Sequence, residues 1–412
     1  MKITPGVVLL SLLAAAPLRA QDVTQKGFAD LKAVAYPQST VADDTQLVGE
    51  ALLRYEASAR LTGWLKLDGG IDGRADTHDQ TVWDGLDWSD RAVQRPALGV
   101  RRMDAVFSRG AVTFSVGKQF VRWGKTDTMN PTDRFAPRDF LAVFDNDYLA
   151  VTSARLTAGP QSNTIDLVVS RFTPSRIPLL DQRWSGTAST VPALPVLDQG
   201  AVYPAQAQVG ARWNHVGSGY EFSISGFSGN NHMPAISSQV VPPNSVAAAH
   251  VDLLRTYPAI WMAGADAAVP FDWFTAKAEV ACIASRDGRS DDYVLYVVQA
   301  ERQFGELFIV LGYAGEVITA ERAPAGFAFD RALTRSILGR ASYTIDTNRS
   351  LTLDGALRQD FKGSWLRGEY SQATGAHLRL TLQGSWIRGS GTDFFGRYSR
   401  NSSVTASLRY SY

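Results

Sequence analysis

Apolar and polar side chains alternate with period 2 along almost the whole chain from residue 26 onward. Near the end, Val404, Ala406, Leu408, Tyr410 and Tyr412 fall on one face, and Thr405, Ser407, Arg409 and Ser411 on the other. The same beat sets Leu378, Leu380, Leu382, Gly384 and Trp386 against His377, Arg379, Thr381, Gln383 and Ser385. A period of 2 is the repeat of an extended strand, whose successive side chains point to opposite faces. Stretches of about ten residues with one apolar and one polar face, separated by turns, mark a transmembrane β-barrel. Lipid offers the peptide group no hydrogen bond, so a sheet that spans it must close on itself.

A β-sandwich also alternates. Two features favour the barrel. Short turns such as Ser108-Arg109-Gly110, Gly217-Ser218-Gly219 and Asp346-Thr347-Asn348 take turns with long polar loops. Trp64, Trp123, Trp261, Trp365, Trp386, Tyr410 and Tyr412 lie at strand ends, where interfacial aromatics sit. The pattern predicts an all-β, closed antiparallel barrel of 18 strands over residues 21–412, the first at 26–36 and the last at 400–412. If 26–36 is not a strand and 47–73 is one long strand, the count is 16. An even count puts both ends on the periplasmic side.

The long loops, near 74–95, 123–146, 173–205, 229–256 and 317–331, then face outward from the cell. Prolines 174, 178, 192, 195, 204, 234, 242 and 243 fill the two longest and argue against hidden strands there. These loops are long enough to fold inward and constrict a pore, or to hang outside. Segments 291–303 and 305–316 are apolar on both faces: Tyr293, Leu295 and Val297 oppose Val294, Tyr296 and Val298. Their inner face must therefore be covered by a folded-in loop or a plug.

Composition narrows the setting. The chain has 412 residues, 45% hydrophobic, and its mean hydropathy is −0.11. Beyond the first residues it has no apolar run of the ~20 residues that a membrane helix needs. Lys2, the apolar run Val7–Ala16 and Pro17-Leu18-Arg19-Ala20 read as a signal peptide, residues 1–20, cut before Gln21. With 41 basic and 40 acidic side chains the net charge is +1, against a dedicated nucleic-acid binder. One cysteine, Cys282, excludes an intrachain disulfide and a cysteine zinc site, and its apolar setting predicts a lipid-facing or packed role.

Alternation assigns Arg155, Lys277, Glu279, Arg340, Asp354, Arg358, Arg367, Glu369, Arg379 and Arg409 to the lumen. Seven are basic and three acidic. Their main expected role is a lattice of ion pairs on the inner wall, Asp354 with Arg379 among them. A mild preference for anions follows from the basic excess.

Residues 117–140 are the densest motif. A strand runs into Arg122-Trp123-Gly124; Asp127, Asp133 and Asp139 then interleave with Lys125, Arg134 and Arg138; and Asn130-Pro131 and Ala136-Pro137 start turns. The pattern predicts a stiff loop cross-braced by its own opposite charges. Lys118, on the lipid side of that strand, calls for a bulge or a place at the membrane edge. The motif Gly-x-Gln-x-x-x-Trp-Gly, with Asp127, Asn130-Pro131-x-Asp133 and Pro137-Arg138-Asp139, resembles porin-like outer-membrane barrels of Gram-negative bacteria. Some of these are uncharacterised and others are alginate-export-type channels. The resemblance implies an outer-membrane location, outer-membrane lipid and small solutes as partners, and recognition by the barrel-assembly machinery through the final strand ending at Tyr412. It leaves the oligomeric state open.

Catalysis finds little support. None of His78, His215, His232, His250 and His377 lies beside a serine nucleophile in a hydrolase-like setting, and His78-Asp79 with Asp84 and Asp87 reads as a charged loop tip. No cofactor motif or metal-ligand spacing stands out. The sequence therefore reads as a non-enzymatic outer-membrane channel for diffusion or export of small solutes, anions among them. The alternative is a plugged barrel acting as a structural or interaction protein through its loops.

Overall fold

The computed structural model describes residues 22–40, 43–179, 183–185, 194–243, 248–322, 329–390 and 393–412. The expected signal peptide lies outside them. The described residues build a nineteen-stranded sheet. Eighteen strands form its wall: Asp22–Ala35, Leu47–Arg60, Leu65–Asp76, Arg95–Arg109, Val112–Gln119, Val151–Ala158, Asn163–Ser170, Gln208–Gly217, Tyr220–Asn230, Ala259–Pro270, Thr275–Ser285, Asp292–Phe304, Leu307–Ala320, Ser336–Thr344, Arg349–Arg358, Ser364–Thr374, Leu378–Arg388 and Ser403–Ser411. Each wall strand is antiparallel to the next. The first pairs with the last, Asp30 opposite Arg409, which closes the cylinder and leaves no edge. The sixteen-strand alternative fails at 47–73, where Leu61–Trp64 turns the chain between two strands.

The alternation sorts side chains as the pattern requires. Leu31, Ile165, Leu167, Val169, Leu311, Leu353, Leu380 and Leu408 are exposed on the outer face. Trp64, Trp261, Trp386, Tyr410 and Tyr412 are exposed near strand ends, as an aromatic girdle needs. Trp123 and Trp365 depart from that expectation, because both are buried inside the barrel. Loops folded into the lumen offer an indole an apolar wall there. Cys282 is exposed on the lipid side.

The longest loops do contain strands. Val196–Val202, His250–Thr256 and Ala235–Val241 form a separate three-stranded sheet, and Thr81–Asp87 pairs in parallel with the Arg95 end of a wall strand. The prolines that argued against strands, Pro195, Pro204, Pro234, Pro242 and Pro243, all fall just outside these ladders, where a missing N–H costs nothing.

Lys118 keeps its outward register opposite Met103, without a bulge at that pair. Yet it is buried. The loop after Thr81–Asp87 folds over it, so its ammonium donates to Asp90 at 2.6 Å and to the Trp88 carbonyl at 2.8 Å. It lies at the strand's loop end, the expected edge position, but protein rather than headgroup receives its charge.

Candidate functional site

Behind Gln119 the chain turns into the lumen. Residues 120–150 lie against the inner wall, and their apolar side chains explain where. Val121, Trp123 and Phe135 pack onto Val151, Val168, Phe227, Ile260, Met262, Ile283, Tyr293 and Leu295. This is the covering that the two-sided apolar strands demanded. Trp123 meets Phe135 edge-on at 5.1 Å, and Phe135 meets Phe227 likewise at 5.0 Å. Gly210 makes room for them: a Cβ there would lie 2.7 Å from Phe135 and 2.8 Å from Trp123. The Trp123 indole donates to Asp166 at 3.0 Å, so its polar edge is also satisfied.

Glu279 anchors the loop. Only 2% exposed, it accepts from Lys125 N at 3.2 Å, Thr126 N at 3.3 Å, Thr132 N at 2.8 Å, and both threonine hydroxyls at 2.8 Å. A buried carboxylate is tolerable when donors converge on it. Gly124, at φ +94°, lets the backbone pass close by; a Cβ there would sit 2.6 Å from the Glu279 oxygens. Next along the loop, Asp127 takes Lys277 at 2.8 Å, and its N–H donates to Gln299 at 2.9 Å. The Asn130 amide donates to the Thr126 carbonyl, and the Pro131 carbonyl accepts from Arg134 at 3.1 Å. The Pro137 carbonyl accepts from Leu149 N at 2.8 Å. Asp139 takes Arg95 and Arg176, each at 2.8 Å. The loop's charges therefore pair mainly with the wall and with other loops, not with one another as the motif suggested. Close spacing in sequence placed them along a curve, where their nearest opposite charges lie on the wall behind the loop and on neighbouring loops.

Two loop carboxyls diverge. Burial would raise Asp139, but Arg95 and Arg176 outweigh it and hold it well below the usual carboxylate range. Burial pushes Asp133 up to about 7 despite Arg138, the Trp123 N–H and Arg122. Its Oδ1 accepts from Trp123 N at 3.2 Å, while Oδ2 is buried without a hydrogen bond and Arg122 stands 3.9 Å away.

The free edge of the loop is basic and aromatic. Arg122 and Arg138 flank Tyr148, 3.9 and 4.4 Å from its ring centroid, and both donate to its hydroxyl, at 3.0 and 2.7 Å. Arg138 also donates to Asn146 at 3.0 Å. Among the described residues Arg138 has no carboxylate within 4.0 Å. Further in, Phe144 stacks on Trp365 at 5.2 Å, and Phe394 meets Phe144 edge-on.

The ten lumen candidates share the alternation face opposite the exposed apolar side chains. Arg155 pairs with Asp166 at 2.7 Å, Arg409 with Asp30 at 2.6 Å, and Lys277 with Asp127 and Glu301. Asp354 pairs with Arg367 at 2.7 Å and Arg340 at 3.6 Å, not with Arg379, which donates to Ser371 at 2.8 Å. On the flat sheet Asp354 lies directly opposite Arg340 and Arg367 on the two adjacent strands, one strand nearer than Arg379. Arg358 reaches Asp360 at 3.1 Å, and Glu369 lies in the ladder between Thr352 and Gln383. The alternation missed Arg54, Asp72, Asp147 and Arg101, which form one network: Arg54 to Asp72 at 2.7 Å, and Arg101 to Asp147 at 3.0 Å. Tyr148 was missed as well. Its only signal was the pair Asp147-Tyr148 after a loop rich in arginine. The Arg54 network is neutral in itself, while Asp166, Asp127, Glu301 and Asp30, the partners of Arg155, Lys277 and Arg409, offset the seven-to-three basic excess, so a net preference has to come from the loop edge.

Searches with family models and against curated proteins found no match. Solved structures do match in fold. OccAB4 of Acinetobacter baumannii aligns with TM-score 0.55 at 9% identity, over 96% of this chain and 100% of that one. A BenF-like porin from Pseudomonas fluorescens Pf-5 gives 0.54 at 10% identity, over 95% and 98%. OccK3 of Pseudomonas aeruginosa gives 0.53 at 10%, over 95% and 96%. The chain thus has the fold of outer-membrane porins along nearly its whole length.

Proposed function

We infer that this protein is a passive outer-membrane channel for small solutes, narrowed by the loop 120–150 and favouring anions at that loop's edge. The observation that carries the reading is charge left in contact with solvent inside a sealed wall. Arg122, Arg340, Asp127, Asp145 and Asp147 each have half or more of the side chain exposed, 50% at the least. All five point inward, so the lumen holds water. A plugged barrel acting only through its loops would have buried or removed those charges. The likeness in fold to porins supports the same reading. The loop motif's resemblance to alginate-export-type channels concerns how the loop is braced; an inward-folded loop suits small solutes better than a polymer.

The anion preference rests on Arg122 and Arg138, since the wall pairs are close to neutral. Purified protein in a planar bilayer under a salt gradient tests it. Stable open steps with a reversal potential on the anion side are expected. Replacing both arginines with alanine should move the potential toward cations. Silence in the bilayer overturns the channel, and a cation-selective wild type overturns the preference.

A further inference from the structure

The outer rim carries a second basic feature that the lumen does not explain. In the strand Asn163–Ser170, Val169 faces lipid and Ser170 the lumen, so the next residue, Arg171, turns outward, and it is exposed. The neighbouring strand begins with Gln208 inward and Val209 outward, which puts Ala207 on the same side as Arg171. Arg171 and Ala207, with Arg91, Tyr203 and Gln206, line a cleft of about 360 Å³. The Arg91 guanidinium lies 4.5 Å over the Tyr203 ring, and the Tyr203 hydroxyl donates to the Arg91 carbonyl at 2.9 Å. Arg91 is therefore held in place from two sides.

The neighbouring carboxylates are already engaged. Asp90 takes Lys118 at 2.6 Å and Arg176 at 3.4 Å, and Asp198 takes Arg255 at 2.8 Å. Among the described residues neither Arg91 nor Arg171 has a carboxylate within 4.0 Å. Trp88 is exposed beside them: its indole donates to the Thr152 hydroxyl at 3.0 Å, while Arg171 N donates to the Thr152 carbonyl at 2.9 Å. The cleft thus stands one alternation step above the lipid-facing Val169 and Val209, with an indole at the same height. Two uncompensated guanidiniums over an apolar wall match a phosphate over acyl chains.

We propose that this cleft binds the phosphorylated headgroup of a lipid in the surrounding leaflet, with its acyl chains lying along Val169 and Val209. The inference needs the barrel to sit in a membrane. It is independent of what the pore carries. Full-length, delipidated protein in detergent is titrated with bisphosphorylated lipid A, and bound lipid is counted by native mass spectrometry. Parallel titrations use the dephosphorylated lipid and inorganic phosphate. One lipid A retained per barrel is expected, with apparent affinity falling about 25-fold when Arg91 and Arg171 both become alanine. The double lysine variant should fall between. Heat-modifiable mobility on gels shows whether each variant is folded. If the alanine variant does not fold, the wild-type preference for phosphorylated over dephosphorylated lipid decides alone. Equal retention of the two lipids, or an unaffected folded alanine variant, overturns the proposal. Displacement of lipid A by inorganic phosphate overturns it too, since the cleft would then be a soluble-anion site.

Discussion

Replacing Glu279 should free the constriction while leaving the barrel intact. Its carboxylate accepts five hydrogen bonds from residues 125–132, three of them from backbone N–H groups. A hydrogen bond to a charged group contributes about 1.5–3 kcal/mol, and bonds that share one acceptor do not add fully. Donors released into a wet lumen find water, which offsets part of the loss. A net loss of about 3 kcal/mol for Glu279→Ala is therefore a fair estimate, and it shifts the ratio of anchored to released loop about 150-fold. Glu279→Gln keeps one acceptor oxygen and the shape, so its effect should be smaller. The strand itself should hold, because Glu279 pairs with Asp266 and Val297 through its backbone. Single-channel recording in planar bilayers reads the outcome: more frequent transitions between conductance levels, in the order alanine, glutamine, wild type. An unchanged transition frequency in a folded alanine variant would refute Glu279 as the anchor.

Three further outcomes follow from the same loop and from the seam. Asp133 titrates near 7 in place of the usual value near 4. The anchored loop therefore holds a proton that the released loop loses across that window, and anchoring weakens as pH rises toward 7. Channel noise should be greater at pH 8 than at pH 5, and Asp133→Asn should flatten the difference; a wild type with equal noise at both contradicts it. Gly124→Ala should cost about 1–3 kcal/mol from its positive φ and its approach to Glu279, and trypsin should then cut faster at Lys125; unchanged cleavage counts against the tight passage. Asp30→Ala removes the ion pair to Arg409 across the closing seam. Arg409 is partly exposed, so about 1 kcal/mol is expected, read as a small drop in the temperature of heat-modifiable migration; no drop means the backbone ladder alone holds the seam.

The wall was legible because lipid outside and water inside impose a strict period of 2, visible in runs such as Leu378–Trp386. The inward loop was half legible. Apolar residues on both faces of 291–303 announced a cover, and Trp123-Gly124 marked the loop, but nothing local showed that the two would meet. Alternation alone assigned Glu279 to the lumen side. Its partners Thr126 and Thr132 lie about 150 residues away in sequence, and no spacing rule bridges that distance. Trp123 and Trp365 misled for a related reason: an indole near a strand end looks the same whether it turns to lipid or to a docked loop. The small external sheet was hidden because prolines flank its strands, and composition cannot tell a flank from an interior. Pairing across the wall could be read only by face, not by partner, so the carboxylates that balance the arginines went uncounted.

The greasy strip under the loop, from Ile260 and Met262 across Ile283 to Leu295, bears on any attempt to widen this pore by excising residues 120–150. Such a deletion would enlarge the opening on paper. It would also leave a bare hydrocarbon band along one side of a narrow water column, and water retreats from such bands. The trimmed pore would blink between filled and empty rather than pass a larger steady current. In this reading the same segment that chokes the passage also keeps it wet.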